Sequence, residues 1–202
     1  AAILLPILVV MDVLVVKTYW GLFDRRALQL LLPGAVIGIL IGYFIADAMN
    51  DNYMRILIGV LALVFGIQSL FRLQSKAGGK HNSVAGTVFG VLAGFTSFSI
   101  HAGGPPFAMY MMPKKISPVL YAGTAGIFFA VVNAIKIIPY TWLGQFNLEN
   151  LMYALVLVPL APLGVALGHY LVRRFDPSTY YRVISFFLVV VGVLLLRDGL
   201  LG

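Results

Sequence analysis

The sequence contains no cysteine, which excludes disulfides, thiolate chemistry and cysteine-ligated iron–sulfur clusters. Charge is also scarce. Only 10% of the 202 residues are Asp, Glu, Lys or Arg, 61% are hydrophobic, and the mean hydropathy is +0.98. A soluble domain of this length has too little interior to hide that much apolar surface. There is no His-Glu-x-x-His motif, phosphate-binding loop or dinucleotide glycine fingerprint, so no cofactor or metal is expected. No signal peptide is evident.

What the sequence has is long apolar blocks. Residues 27–46 carry no charge, and residues 148–171 carry one acidic charge, Glu149. A bilayer core of about 30 Å takes about 20 helical residues to cross. The blocks are continuous rather than alternating, which argues for helices over a barrel. The expected fold is an all-α polytopic membrane protein with segments at 1–16, 27–46, 53–71, 83–112, 118–138, 148–171 and 180–196. Its principal partner is the lipid bilayer. The net charge of +7 reads as basic loops flanking the spans, so no nucleic acid is expected.

The segment 83–112 is interrupted by His101-Ala102-Gly103-Gly104-Pro105-Pro106, so it either crosses once or returns as a re-entrant hairpin. As a hairpin, it puts Lys17, Arg25, Arg26, Arg72, Lys76, Lys80, Lys114, Lys115, Arg173, Arg174 and Arg182 on one face and leaves Arg55, Lys136 and Arg197 on the other. A single crossing divides the same residues almost evenly. The positive-inside rule therefore favours the hairpin.

Spacing suggests a duplication. Pro33 and Pro159, Gly38 and Gly164, Gly42 and Gly168, and Gly66 and Gly192 are each 126 residues apart, and Asp12 aligns with Asn133 at an offset of 121. The reading is of two repeats, 1–75 and 76–202, inserted upside down relative to each other with discontinuous helices at their interface, as in many secondary transporters. The second repeat then has about 39 residues, from Ser83 onward, without a counterpart in the first. A corresponding broken hairpin upstream of Ala1 is expected. The glycines at 34, 38 and 42, and at 164 and 168, lie on helix stripes that suit close packing. Tyr19, Trp20, Tyr140 and Trp142 read as interfacial anchors, and His169 as an interfacial residue.

The Gly-Gly-Pro-Pro break is the strongest candidate site. Proline cannot continue a helix, glycine permits close approach and positive φ, and backbone groups freed in lipid need partners. A half-helix beginning near Phe107, with Pro105 and Pro106 in its first turn, presents N–H groups and partial positive charge that suit an anion. Thr96, Ser97, Ser99 and His101 supply hydroxyls and an imidazole beside Ala102, Gly103, Gly104 and Pro105. A structural kink satisfied by neighbouring helices is the alternative. Asp12 lies within the first span, where a carboxylate costs about 2.5–3.5 kcal/mol. Asn133 and Lys136 share a helix face, the lysine either lining a cavity or snorkelling to the interface. Protons are a candidate coupling ion, with His101 or Asp12 as carriers.

These residues resemble a family. Gly94-Phe95-Thr96-Ser97, then His101 to Pro106, Tyr110, Ala122-Gly123-Thr124 and Asn133-Ala134-Ile135-Lys136, together with Asp12 and Leu32-Pro33-Gly34 in the first half, are similar to the TauE/SafE sulfite and organosulfur-anion exporters. The resemblance implies an inner-membrane secondary transporter of sulfite, thiosulfate, a sulfonate such as sulfoacetate, or a related small oxyanion. It adds Thr124 to the candidate binding residues. The rivals are a permease for another anion such as a carboxylate, a membrane enzyme using Asp12 and His101, and a scaffold.

Overall fold

A computed structural model describes residues 4–45, 50–71, 81–144 and 148–201. The described chain is helical: α1 (Leu4–Thr18), α2 (Arg25–Phe44), α3 (Asp51–Phe71), α4 (Ser83–Ile100), α5 (Gly104–Met111), α6 (Pro118–Trp142), α7 (Leu148–Leu157), α8 (Leu160–Arg174) and α9 (Pro177–Leu201), with a 3₁₀ turn at Met112–Lys114. Five of these, α2, α3, α4, α6 and α9, are long and apolar enough to cross a bilayer unaided. Helix starts are written in the sequence. The side chains of Asp24, Asn82 and Ser117 accept from the amides of Ala27, Ala85 and Leu120 at 3.0, 3.1 and 3.3 Å, using donors that helix geometry leaves free.

Contacts fix the direction of each helix. Gly123 of α6 abuts Tyr19 and Leu22, Gly126 abuts Val15, and Asn133 bonds Asp12, so α1 runs antiparallel to α6. Gly34 packs on Thr87, Gly38 on Val91 and Gly42 on Phe98, so α2 and α4 run parallel. Gly59 meets Gly192, and Gly66 meets Val189 and Ser185, so α3 and α9 are antiparallel. Within the broken segment, Gly103 sits against Ala93 and Ser97, and Tyr110 lies beside Gly86 and Phe89. Helix α5 therefore folds back along α4, and the segment is a re-entrant hairpin that returns to its own face. That face gathers Lys17, Arg25, Arg26, Lys114, Lys115, Arg173, Arg174 and Arg182. Arg72, Lys76 and Lys80 lie outside the described residues.

Three expectations need correction. The span at 148–171 is not continuous. It breaks at Val158 between α7 and α8, because Pro159 and Pro162 remove two amide donors within one turn, whereas α2 continues through its single Pro33. Among the described residues, a side chain added on the stripe of Gly164 and Gly168 would meet nothing within 4 Å, unlike one on Gly34, Gly38 or Gly42. Of the four aromatic residues read as interfacial anchors, Trp20 and Trp142 are 75% and 70% exposed, but Tyr19 and Tyr140 are buried. His169 packs edge-on against Tyr19 at 5.3 Å.

The α2–α4 seam depends on missing side chains. Gly90 and Gly94 of α4 lie against the backbone of Leu31 and Ala35, while Gly34 and Gly38 lie against the backbone of α4. A methyl group in this seam must push backbone aside, since packed interiors have little slack. Gly94→Ala is expected to cost about 1–3 kcal/mol. Gly164→Ala, in open space, should be neutral or stabilising by up to about 1 kcal/mol through helix propensity. Thermal unfolding of both variants in one detergent checks the contrast; equal melting shifts would contradict it.

Candidate functional site

Helix α4 ends at His101, which adopts a left-handed conformation (φ 54°, ψ 25°), a strained setting for a residue with a Cβ. Thr96 stabilises the turn. Its carbonyl accepts from the amides of His101 and Ala102, and its hydroxyl reaches the carbonyls of Leu92 and Ala102 at 2.8 and 3.0 Å. The last carbonyls of α4 have no helical partner, and two side chains of α6 supply donors. Lys136 Nζ donates to the carbonyl and the hydroxyl of Ser97 at 3.0 and 3.1 Å. Tyr140 Oη donates to the carbonyl of Phe98 at 2.6 Å. His101 bridges the two, its Nδ1 lying 3.4 Å from Lys136 Nζ and its Nε2 3.5 Å from Tyr140 Oη.

Lys136 is fully buried. It does not snorkel, and no carboxylate among the described residues lies within ion-pairing distance of it. Asp12 is close enough to attract it electrostatically but is engaged by Asn133, whose Nδ2 donates to Oδ2 at 2.8 Å. Lys136 lies 18 residues along α6 from Pro118, about 27 Å at 1.5 Å per residue. The cluster thus sits beyond the middle of α6, away from the basic face.

Helix α5 starts at Gly104 with Pro105 and Pro106 in its first turn. The prolines carry no amide proton, and the amide of Phe107 already donates to the carbonyl of Gly103. The free donors at this helix N-terminus are therefore the amides of Gly103 and Gly104 alone. The two glycines differ in surroundings. A Cβ on Gly103 would lie 2.8 Å from the Ala93 carbonyl and 2.9 Å from Ser97 Cβ, whereas one on Gly104 would meet nothing within 4 Å.

Of the residues singled out in the sequence, Ser97, His101, Gly103, Lys136, Asn133 and Asp12 are thus brought into one cluster, with Ala102, Gly104 and Pro105 on the adjoining backbone. Two are not. Thr124 accepts from the Asp24 amide at 2.9 Å and donates to the Leu120 carbonyl at 2.6 Å; it braces the α1–α2 turn, nine residues from Asn133 along α6. Ser99 donates to the Phe95 carbonyl at 2.9 Å, within its own helix rather than toward Lys136. Tyr140 was missed. Its position one turn beyond Lys136, on the same face, was the signal for it.

A polytopic helical bundle with a re-entrant broken helix, a buried ammonium and free amides at the break has the design of a membrane transporter. The comparisons give the family: a model of the sulfite exporter TauE/SafE family matches residues 1–195, and the chain belongs to that family. It is 26% identical over 197 residues to a probable inner membrane transporter protein, TsaS, of Comamonas testosteroni, covering 93% of this chain and 80% of that one. No solved structure matches it. The chain is an integral inner-membrane transporter protein.

The Asp12–Asn133 bond joins α1 to α6 directly. A double-mutant cycle of Asp12→Ala and Asn133→Ala should give a coupling of about 0.6–1.7 kcal/mol, the range of hydrogen bonds between membrane helices. Additive effects on unfolding would show that the pair does not tie the helices together.

Proposed function

We propose that this protein is a secondary transporter of a small sulfur-containing oxyanion, such as sulfite, thiosulfate or a sulfonate, built from two inverted repeats, 1–75 and 76–202. The carrying observation is Lys136: a fully buried ammonium that donates to the carbonyl and hydroxyl of Ser97 and lies 3.4 Å from His101 Nδ1, with no carboxylate among the described residues within ion-pairing distance. A buried charge left without a counter-ion costs several kcal/mol. Capping the end of α4 does not require it, since the neutral Tyr140 hydroxyl performs the same task one residue on. An anion at the break supplies the missing charge. It exchanges places with the Ser97 hydroxyl or His101 on Lys136 and accepts from the Gly103 and Gly104 amides. A pyramidal or tetrahedral oxyanion has enough lone pairs to use these donors together.

Asp12 suggests the coupling. While ionised, it partly neutralises Lys136; protonated, it leaves the full charge to the anion. Anion and proton then bind together, and affinity rises as pH falls. Asp12→Asn removes the titrating group while preserving a hydrogen-bond partner for Asn133, so the pH dependence of binding should flatten.

Thermal-shift titration of the purified protein with sulfite, thiosulfate, sulfoacetate, sulfate and chloride tests the anion site, because a ligand that binds only the folded state must stabilise it. At least one sulfur oxyanion should raise the melting temperature. Lys136→Met should weaken that ligand by about 30-fold or more, the cost of losing one partner of a buried charged pair. Lys136→Arg keeps the charge and should retain part of the response. Equal stabilisation of wild type and Lys136→Met would remove the ammonium from the site. A response to carboxylates alone would transfer the reading to a carboxylate permease.

A further inference from the structure

The Lys136 cluster lies closer to one end of α6 than to the other. From the basic end it is about 27 Å away, but Trp142, the last residue of the helix, is six residues beyond Lys136, about 9 Å at 1.5 Å per residue. On that side only a turn and a half of α6 separates the cluster from the helix end. Within this stretch Ile137, Ile138, Thr141 and Trp142 are exposed, whereas Pro139 and Tyr140 are buried.

Tyr140 stands directly over the cluster. Its ring packs edge-on against Phe98 at 5.2 Å and against His101 at 6.0 Å, and its centroid is 6.0 Å from Lys136 Nζ. Its hydroxyl donates to the Phe98 carbonyl at 2.6 Å. Phe98 in turn is seated on Gly42 of α2, where a Cβ would lie 2.7 Å from its ring. The aromatic pair thus reaches from α6 to α2 across the end of α4.

Pro139 weakens the helix between Lys136 and Tyr140. It has no amide proton, so the Ile135 carbonyl receives no donor from the helix and the last turn is held by one bond fewer. Proline is a common cause of helix bending. A tilt at Pro139 breaks the Tyr140 hydroxyl bond and lifts the ring, while Lys136, upstream of the joint, keeps its place beside Ser97. Water entering from the open end then satisfies the Phe98 carbonyl.

We propose that residues 139–142 of α6 are the gate of the transporter on the face opposite the basic residues, with Pro139 as hinge and Tyr140 as plug and latch. Alternating access requires that a central site open to each face in turn. The proposal rests on the reading above for the position of the site. It makes Tyr140 and Pro139 gating residues, which act on access rather than on the affinity of the anion.

The chain has no cysteine, so Ser97→Cys in the full-length protein is a single reporter beside Lys136. The test is its rate of labelling by membrane-impermeant sulfonatoethyl methanethiosulfonate, added to sealed vesicles of each orientation. From the face opposite the basic residues, Tyr140→Phe should raise the rate about three- to tenfold, the opening equivalent of one hydrogen bond. Tyr140→Ala, which removes the plug as well, should raise it further. Pro139→Ala restores the missing amide and should slow labelling from that face by about threefold or more. The rate from the basic face should not change in any of the three. An unchanged rate in both Tyr140 variants, or equal acceleration from both faces, would overturn the gate. A Pro139→Ala rate equal to that of the parent would overturn the hinge. Labelling is read without any substrate anion, so these failures leave the anion reading standing, and failure of the anion titration alters what passes the gate but not this result.

Discussion

The last turn of α4 ends buried within the bundle, with Ser97 and Phe98 covered by their neighbours. In hydrocarbon each unsatisfied backbone group costs several kcal/mol, so a helix can stop there only where other residues supply donors. Lys136 and Tyr140 of α6 do this for Ser97 and Phe98, and Thr96 does it within the turn. Much of the surrounding structure follows. α6 lies against the tip of the hairpin, and Lys136 and Tyr140 are buried there. The partial negative charge at a helix C-terminus also favours a cation there, which helps to hold an ammonium that lacks a carboxylate partner.

A re-entrant hairpin this deep also needs room. The α2–α4 seam provides it by replacing side chains with glycine on both helices, so that backbone meets backbone at Gly34, Gly38, Gly90 and Gly94. Membrane helices gain little from hydrophobic association, because lipid is as apolar as leucine; close packing and interhelical hydrogen bonds take its place. The same economy appears at the α3–α9 seam through Gly59, Gly66 and Gly192, and where α1 meets α6 through Gly123 and Gly126. The helices that carry the site are thus clamped by backbone contact, while α8 is left with its glycine stripe uncovered among the described residues.

The fold was legible where chemistry is local. Apolar length marked the spans, and basic residues set the direction of the hairpin. Asp12 and Asn133, aligned in the sequence at an offset of 121, are joined by a hydrogen bond in the structure. What was not legible depends on partners distant in sequence. Nothing local says that Lys136 turns inward rather than snorkelling; that follows from the free carbonyl of Ser97, 39 residues away. Tyr140 looked like an interfacial ring for the same reason. Gly164 and Gly168 repeat the spacing of Gly38 and Gly42, but spacing cannot report whether a helix lies opposite. The break at Val158 was open to reading, since Pro159 and Pro162 fall within one turn, and was masked by the apolar run around them.

The positions of Asp12 and Lys136 bear on why a transporter would keep two costly charges in its core. Were they in contact, the pair would be neutral, and an anion would have to break a strong bond to enter. Were they far apart, each would carry its full desolvation penalty. Instead Asn133 holds the carboxylate by a hydrogen bond, and Ser97 and His101 hold the ammonium. The two groups attract without touching. The attraction limits the penalty of burying both charges, and on the proposed reading the gap leaves the ammonium to be shared with a substrate anion. On the proposed reading, a proton on Asp12 would shift that share toward the substrate, and one intermediate separation would serve both the stability of the bundle and the linkage of anion to proton.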